Sequence, residues 1–303
     1  MSKKSKIELL KNREIDYQKW DSCITNSLNP LIYAESWYLN IVSPGWQALI
    51  YGDYDAMLPL PVTKKAFFNF IVQPPFTQQL GIFSKERLSY KEFINIEKKI
   101  PYINCIMSYN HMSAPVHQKY YKRTNMVVNL NKGVDALKSE YSKNCKRNVK
   151  KASAFNQSVI VEDRNERFIT FIKQEFPINL SKKELNILNN IAINSLDKKR
   201  SKIIYVQNSK EEILAAALFL FSNKRITFIA GCSSAEGIKQ KSMFLLIDYI
   251  ISKYSGEEIL LDFEGSDNYG TARFYKGFGA IIEEYYCVKN RFFEYGMQLR
   301  QHR

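Results

Sequence analysis

Histidine is nearly missing from this sequence. Three occur in 303 residues, His111, His117 and His302, and none stands at a metal-ligand spacing from another, so zinc chemistry and a bound metal are not expected. The G-x-S-x-G, P-loop and dinucleotide glycine fingerprints are absent too, which argues against serine hydrolases and nucleotide hydrolysis. The five cysteines, at 23, 105, 145, 232 and 287, are odd in number and have no short pairing, in a chain too long to depend on staples. They read as reduced thiols. The longest apolar run, Ile213 to Phe221, is far below the ~18 residues of a spanning helix. The opening MSKKSKIELLKNRE has no apolar core of the kind a secretory signal needs. A cytoplasmic protein without a membrane span is expected.

What is present points to packed cores and an anionic partner. Hydrophobic residues make up 45% of the chain and aromatic residues 14%, ample for one large domain or two ordinary ones. Against 30 Asp+Glu stand 44 Lys+Arg, a formal charge of +14, which suits a phosphate-rich cofactor, nucleic acid or a membrane surface; lysines spread over a solvated face fit it equally well.

Along the chain the pattern predicts a helix within Ser22 to Asn40 and a strand over Trp46 to Tyr51. A strand interrupted by Pro59 and Pro61 follows, confined by those prolines to an edge or a bulge. Next come a strand from Phe67 to Val72, the loop QPPFTQQLG, a helix over Lys85 to Ile100, and strands at Tyr102 to Tyr109 and Asn125 to Leu130. The segment VDALKSEYSKNCKRNVKKASAFN reads as one basic helix opening a second half, with the domain boundary at Asn131 to Gly133: residues 1–132 and 133–303. EILAAALFLF and RITFIAGC read as an antiparallel hairpin whose first strand is apolar on both faces. SSAEGIKQ reads as a break, followed by a helix from Lys241 to Lys253, a strand from Ile259 to Phe263, the short helix YGTARFYKG and a strand from Ile281 to Lys289. Strand and helix alternate in both halves, each around one mixed sheet: an α/β chain with α+β character.

The stretch LDFEGSDNYGTARFYKGFGA, Leu261 to Ala280, carries a resemblance. With the hairpin, helix and strands around it, Glu212 to Lys289 resembles the core of the GNAT acyltransferase superfamily. There an Asn begins the short helix, and a Tyr seven residues on precedes a Gly by four; Asn268, Tyr275 and Gly279 keep that spacing. LDFEGS followed by FYKGFGA is similar to the paired blocks of the FemAB-like branch, in which two GNAT-like domains lie in one chain. The resemblance implies tandem GNAT-like domains, the first helping to form an acceptor groove and the second holding the reaction centre.

It also implies roles. Acyl transfer to an amine needs a base, donors for the oxyanion and an acid for the leaving group. Tyr275 matches the acid position. Asp262 and Glu264, two apart on a strand and so on one face, could hold a base directly or through water; acids at a strand end also cap turns or pair with Lys or Arg. Asn268 falls at the start of the cofactor-contacting helix. The family's pyrophosphate loop, glycine-rich because close backbone amides cradle phosphate, is here GIKQKS: Gln240 replaces the first glycine and only Ser242 is small, with Lys239 and Lys241 offering charge instead. That departure weakens acetyl-CoA or another acyl-CoA as donor. It leaves room for the aminoacyl-tRNA used by FemAB-like ligases, in which a lysine after the aromatic of the short helix assists the carbonyl. Lys276 holds that place. The acceptor would then be a small-molecule, cell-wall or sugar-linked amine, and the remaining reading is a non-catalytic binding module of the same fold. Gln73 and Gln78 in QPPFTQQLG offer amides to an acceptor, although such loops often only connect.

Lys143, Arg147, Lys150 and Lys151 share one helical face suited to polyanion phosphates, or simply to water. Replacing all four with Gln is expected to weaken binding of a polyanion such as tRNA and to flatten its dependence on salt. Titrations at several salt concentrations check this; unchanged affinity and slope would make the stripe a solvated face.

Overall fold

The computed structural model describes residues 6–65, 68–101, 105–112, 120–265 and 267–289; His117, His302, Phe67 and the stretch 102–104, named above, lie outside them. The chain divides into two compact units, Met1–Arg123 with Glu284–Arg303, and Thr124–Glu283.

The first unit contains β1 (Ile7–Lys11), α1 (Tyr17–Thr25), α2 (Ser36–Val42), β2 (Gln47–Tyr51), β3 (Ala56–Leu60), β4 (Val62–Lys65), β5 (Phe68–Val72), β6 (Phe83–Ser84), α3 (Tyr90–Glu97) and β7 (Cys105–Tyr109). The helix expected across Ser22 to Asn40 is two helices. Asp16 caps the first, accepting from the backbone of Gln18 and Lys19, and Asn29-Pro30 lies in the break, since proline disfavours a helical residue before it. α3 is shorter than expected because a Ser89–Glu92 capping box fixes its start. These strands lie in two sheets where one was expected: β1-β2-β3-β6 is antiparallel, while β5 pairs antiparallel with β4 and parallel with β7. Pro59 falls beyond Ala56 and Met57, the positions β6 covers, so β3 is an edge there as a proline requires. Trp20, Trp46, Tyr33 and Tyr38 are fully buried at the core.

The second unit receives β8 (Tyr120–Asn129) from Thr124 onward and continues through α4 (Val134–Ser139), α5 (Lys143–Ser153), β9 (Gln157–Glu162), α6 (Glu166–Glu175), α7 (Lys182–Asp197), β10 (Ser201–Asn208), β11 (Ile213–Phe221), β12 (Arg225–Ser233), α8 (Ala235–Gln240), α9 (Ser242–Lys253), β13 (Leu260–Gly265) and α10 (Tyr269–Lys276). β14 (Ile281–Lys289) leaves it at Glu283 and pairs antiparallel with β7 in the first unit. The basic segment is two helices, because the Ser142 hydroxyl caps a fresh start at Cys145 N. SSAEGIKQ is not a break but contains α8, capped by Ser234 on Gly237 N.

Within this unit the sheet runs β8-β13-β12-β11-β10-β9, antiparallel except for β12 with β13. Alternate residues of β10 and β11, among them Ile204, Val206, Ala217 and Phe219, pack with Leu246, Ile247 and Ile250 of α9. Their neighbours Ile203, Tyr205, Ala216 and Leu218 are buried as well, and α6 and α7 contact these strands. β11 is therefore apolar on both faces because both are covered.

Gly237 on α8 lies so close to β11 that an added Cβ would fall 1.8 Å from the Leu214 carbonyl oxygen. Gly237→Ala is expected to cost about 3 kcal/mol in urea unfolding, the scale of an overpacked core. Gly133→Ala, where a Cβ meets nothing within 4 Å, should stay within about 0.5 kcal/mol of the parent.

Candidate active site

Two parallel strands that part company form the site. β12 and β13 pair at three positions only, Arg225 with Leu260, Ile226 with Leu261 and Thr227 with Asp262. β12 then stays with β11 as far as Ser233, while β13 follows β8 through a bulge between Asp262 and Gly265. The first residues past the fork are Phe228 and Phe263. Both meet the ring of Tyr275: Phe263 stacks on it at 4.2 Å and 8°, and Phe228 stands edge-on at 6.5 Å. Tyr275 is thus wedged into the fork, 7% exposed. Burial raises its phenol above the ordinary value, with Glu264 and then Asp262 adding to the shift, so it stays protonated near neutral pH.

Below the wedge, in the paired part of the fork, lies a buried cation. Arg225 is 4% exposed and donates through Nη1 to Asp262 at 2.6 Å and to Glu283 at 3.0 Å, and through Nη2 to Glu283 at 2.9 Å. Burial works against its charge, yet the two carboxylates carry its pKa above the ordinary value. Asn125 Nδ2 donates to Asp262 at 2.9 Å and to Glu283 at 3.2 Å. Asp262 Oδ1 also accepts the backbone N–H of Glu264 at 2.9 Å. Glu264 adopts φ +57°, a left-handed conformation rare for a residue with a side chain, within the bulge between Asp262 and Gly265. Asp262 is fully buried and Glu264 half-buried.

α10 presents its next residue outward. Its N-terminus is capped by Asn268, whose Oδ1 accepts from Gly270 and Thr271 N; its C-terminus closes through Gly279 at φ +81°. Lys276 and Arg273 are exposed, without an ion-pair partner among the described residues, and line a groove of about 440 Å³ together with Phe244, Phe274, Ser142, Asn144 and Cys145. Burial, with Asp248 adding, pushes the Cys145 thiol up to about 12, so it is a wall and not a nucleophile. Lys143, Lys150 and Lys151 are exposed along α5, and Arg147, exposed too, donates to Asn144 Oδ1 at 2.7 Å.

At the start of α9, where the GNAT resemblance placed a phosphate cradle, the chain closes on itself. Lys241, at φ +62°, joins α8 directly to α9. Gln157 of β9 donates to the Ala152 and Gln240 carbonyls, and its Oε1 accepts the hydroxyl of fully buried Ser242 at 2.6 Å. Lys239 is engaged with Glu236 at 3.4 Å. In the first unit Gln73 braces its own loop, donating to Thr77 O and accepting from Ser108 N, while Gln78 accepts from Gln79. Among the described residues no group of three or more His, Cys, Asp or Glu could hold a metal ion, and no helix is long and apolar enough to cross a membrane.

No family model matches the sequence, and no curated protein matches it. Solved structures do. The crystal structure of FemX is 12% identical over 93% of this chain and 98% of its own, with a TM-score of 0.64. A conserved protein of unknown function from Bacteroides thetaiotaomicron is 10% identical over 91% and 98%, at 0.55. The C-terminal domain of a provisionally assigned lysylphosphatidylglycerol synthetase from Agrobacterium fabrum is 10% identical over 92% of each chain, at 0.54. At such identities the likeness is one of fold: a GNAT-like, FemAB-type fold of mixed α/β sheets.

The ion network is open to a direct check. Arg225→Leu leaves Asp262 and Glu283 buried without their cation and is expected to cost about 3–5 kcal/mol in denaturant unfolding. Adding Asp262→Asn should recover part of that loss. A double-mutant cycle with no coupling would dissolve the network.

Proposed function

We infer that this chain moves an acyl group from an activated ester or thioester to an amine, with the reaction centre at the fork. The observation that carries the reading is the wedge: Tyr275, buried and protonated, stands between the parted strands while Lys276 beside it opens onto a cationic groove. One proton leaves the ammonium for Glu264, directly or through water, and the freed amine attacks the acyl carbon; as the tetrahedral adduct collapses, Tyr275 or solvent protonates the departing oxygen or sulfur, and the second proton lost from nitrogen restores that donor. The net change is one C–N bond formed and one C–O or C–S bond broken. Asp262, sealed against Arg225, serves the base by fixing its backbone. Residues 1–132 would supply the acceptor groove and 133–303 the centre, in a cytoplasmic enzyme.

The donor favoured is an aminoacyl ester on tRNA. Gln157 and Ser242 fill the position where an acyl-CoA pyrophosphate would need bare amides. The exposed cations of α5 and α10 suit a polyanion, and the name of the Agrobacterium neighbour denotes a lysyl-bearing product. Acyl-CoA is the second reading, supported by the spacing of Asn268, Tyr275 and Gly279. A non-catalytic module of this fold is the third.

Thermal shift with CoA, acetyl-CoA, a charged tRNA mixture and nucleotide sugars separates them, since a ligand of the folded state raises melting in proportion to the logarithm of its concentration over Kd. With the donor found, Lys276→Ala is expected to lower turnover roughly 10²-fold and Tyr275→Phe to be mild if the donor is an aminoacyl ester; acyl-CoA reverses the order. Both variants must melt with the parent. Full activity in both would remove the centre from the fork.

A further inference from the structure

The first unit contains a cavity of about 230 Å³ that the transfer reading does not use. Leu28, Asn29, Ile82, Phe83 at the start of β6, Phe93 of α3 and Asn110 after β7 form much of its wall, with Arg87 and Tyr90 lining it as well. An apolar cavity of about 150 Å³ holds benzene, so this one admits roughly nine non-hydrogen atoms.

Its polar groups differ in what they offer. Asn110, fully buried, is spent on the fold: Nδ2 donates to Leu80 O at 2.9 Å and Ile82 O at 3.2 Å, and Oδ1 accepts from Met112 N. Asn29 is 7% exposed and its Nδ2 has no hydrogen-bond partner. A sealed, unpaired amide donor is a standing cost to stability, and a leucine there would avoid it. Arg87 is exposed and has no ion-pair partner among the described residues, and no acidic residue lines the cavity with it. One unsatisfied donor and one unneutralised guanidinium on a wall otherwise rich in Ile82, Phe83, Leu88 and Phe93 select an anion with an apolar body.

We propose that this cavity binds a small apolar carboxylate, its carboxylate held by Arg87 and by the Asn29 amide, which turns about its last side-chain bond to meet it, and its aliphatic body among Ile82, Phe83 and Phe93. A free branched acid and the C-terminal leucine of a peptide share this chemistry. The site lies wholly in the first unit and does not rest on the transfer reaction.

The test is melting of the full chain with 4-methylvalerate, glycyl-leucine and, as the uncharged control, 4-methylvaleramide. 4-Methylvalerate is expected to raise the melting temperature with the logarithm of its concentration, and 4-methylvaleramide to bind at least tenfold more weakly. A matching rise with glycyl-leucine identifies a peptide terminus, and its absence a free acid; both uphold the carboxylate site. Arg87→Gln should weaken binding at least tenfold. Asn29→Leu should abolish it while melting, without ligand, at or above the parent. No rise with either carboxylate, an equal rise in both variants, or an Asn29→Leu chain that melts several degrees lower would each overturn the proposal.

Discussion

A guanidinium taken out of water loses hydration worth several kcal/mol, and Arg225 regains it through two carboxylates and a geometry with little slack. Asp262 and Glu283 use Asn125 to satisfy further oxygen lone pairs, so the cluster is hydrogen-bonded on several sides. The rest of the fork follows from it. Arg225 and Asp262 lie on the two strands exactly where those strands still touch, at the ends of the three-position pairing, and their contact holds the strands together just before they part. The same Asp262 holds the N–H of Glu264 and so keeps that residue left-handed. Strain of this kind persists only where its surroundings over-determine it. Replaced by an apolar pair, the network would hold the strands but not aim the bulge.

The junction of α8 and α9 shows a second constraint at work. Bare amides at a helix start are the general means of holding phosphate. Here Gln157 spends one side chain on three partners at that place, with Ser242 buried under it. What the fold gives up in amides at α9 it offers in side-chain charge across α5 and α10. A charged side chain binds a phosphate less specifically than a ring of amides but tolerates a larger and more variable polyanion.

How much of this the sequence disclosed depends on range. Apart from α8, the order of elements from β11 to β14, the two-faced burial of β11, the cap at Asn268 and the glycine at 279 were legible, because each is written in a short window of pattern or turn chemistry. Arg225 was not: after Asn223 and Lys224 it reads as one more surface base, and its partners Asp262 and Glu283 lie 37 and 58 positions away in the chain. Gln157 is likewise 85 residues from Ser242. The break inside the basic segment depended on one serine, Ser142, among several, and only its hydroxyl on Cys145 N distinguishes it. The left-handed backbone at Glu264 was not legible either, because strand alternation assumes an extended residue there.

The division of the chain has a consequence for how it is made. The first unit is built from both sides of the second, Met1–Arg123 and Glu284–Arg303, and β7 acquires β14 only through residues 286–289. A ribosome delivers residues in order, at about 5–20 per second, and domains fold as units when their residues have emerged. The second unit is one uninterrupted segment and is complete before residues 286–289 of β14 exist. During those seconds β7 waits with an unpaired edge, a surface inviting other strands, although the four-stranded sheet of β1, β2, β3 and β6 is already in hand. β7 thus emerges before the second unit and gains this partner only after it, and slow translation of residues 284–289 would prolong its exposure.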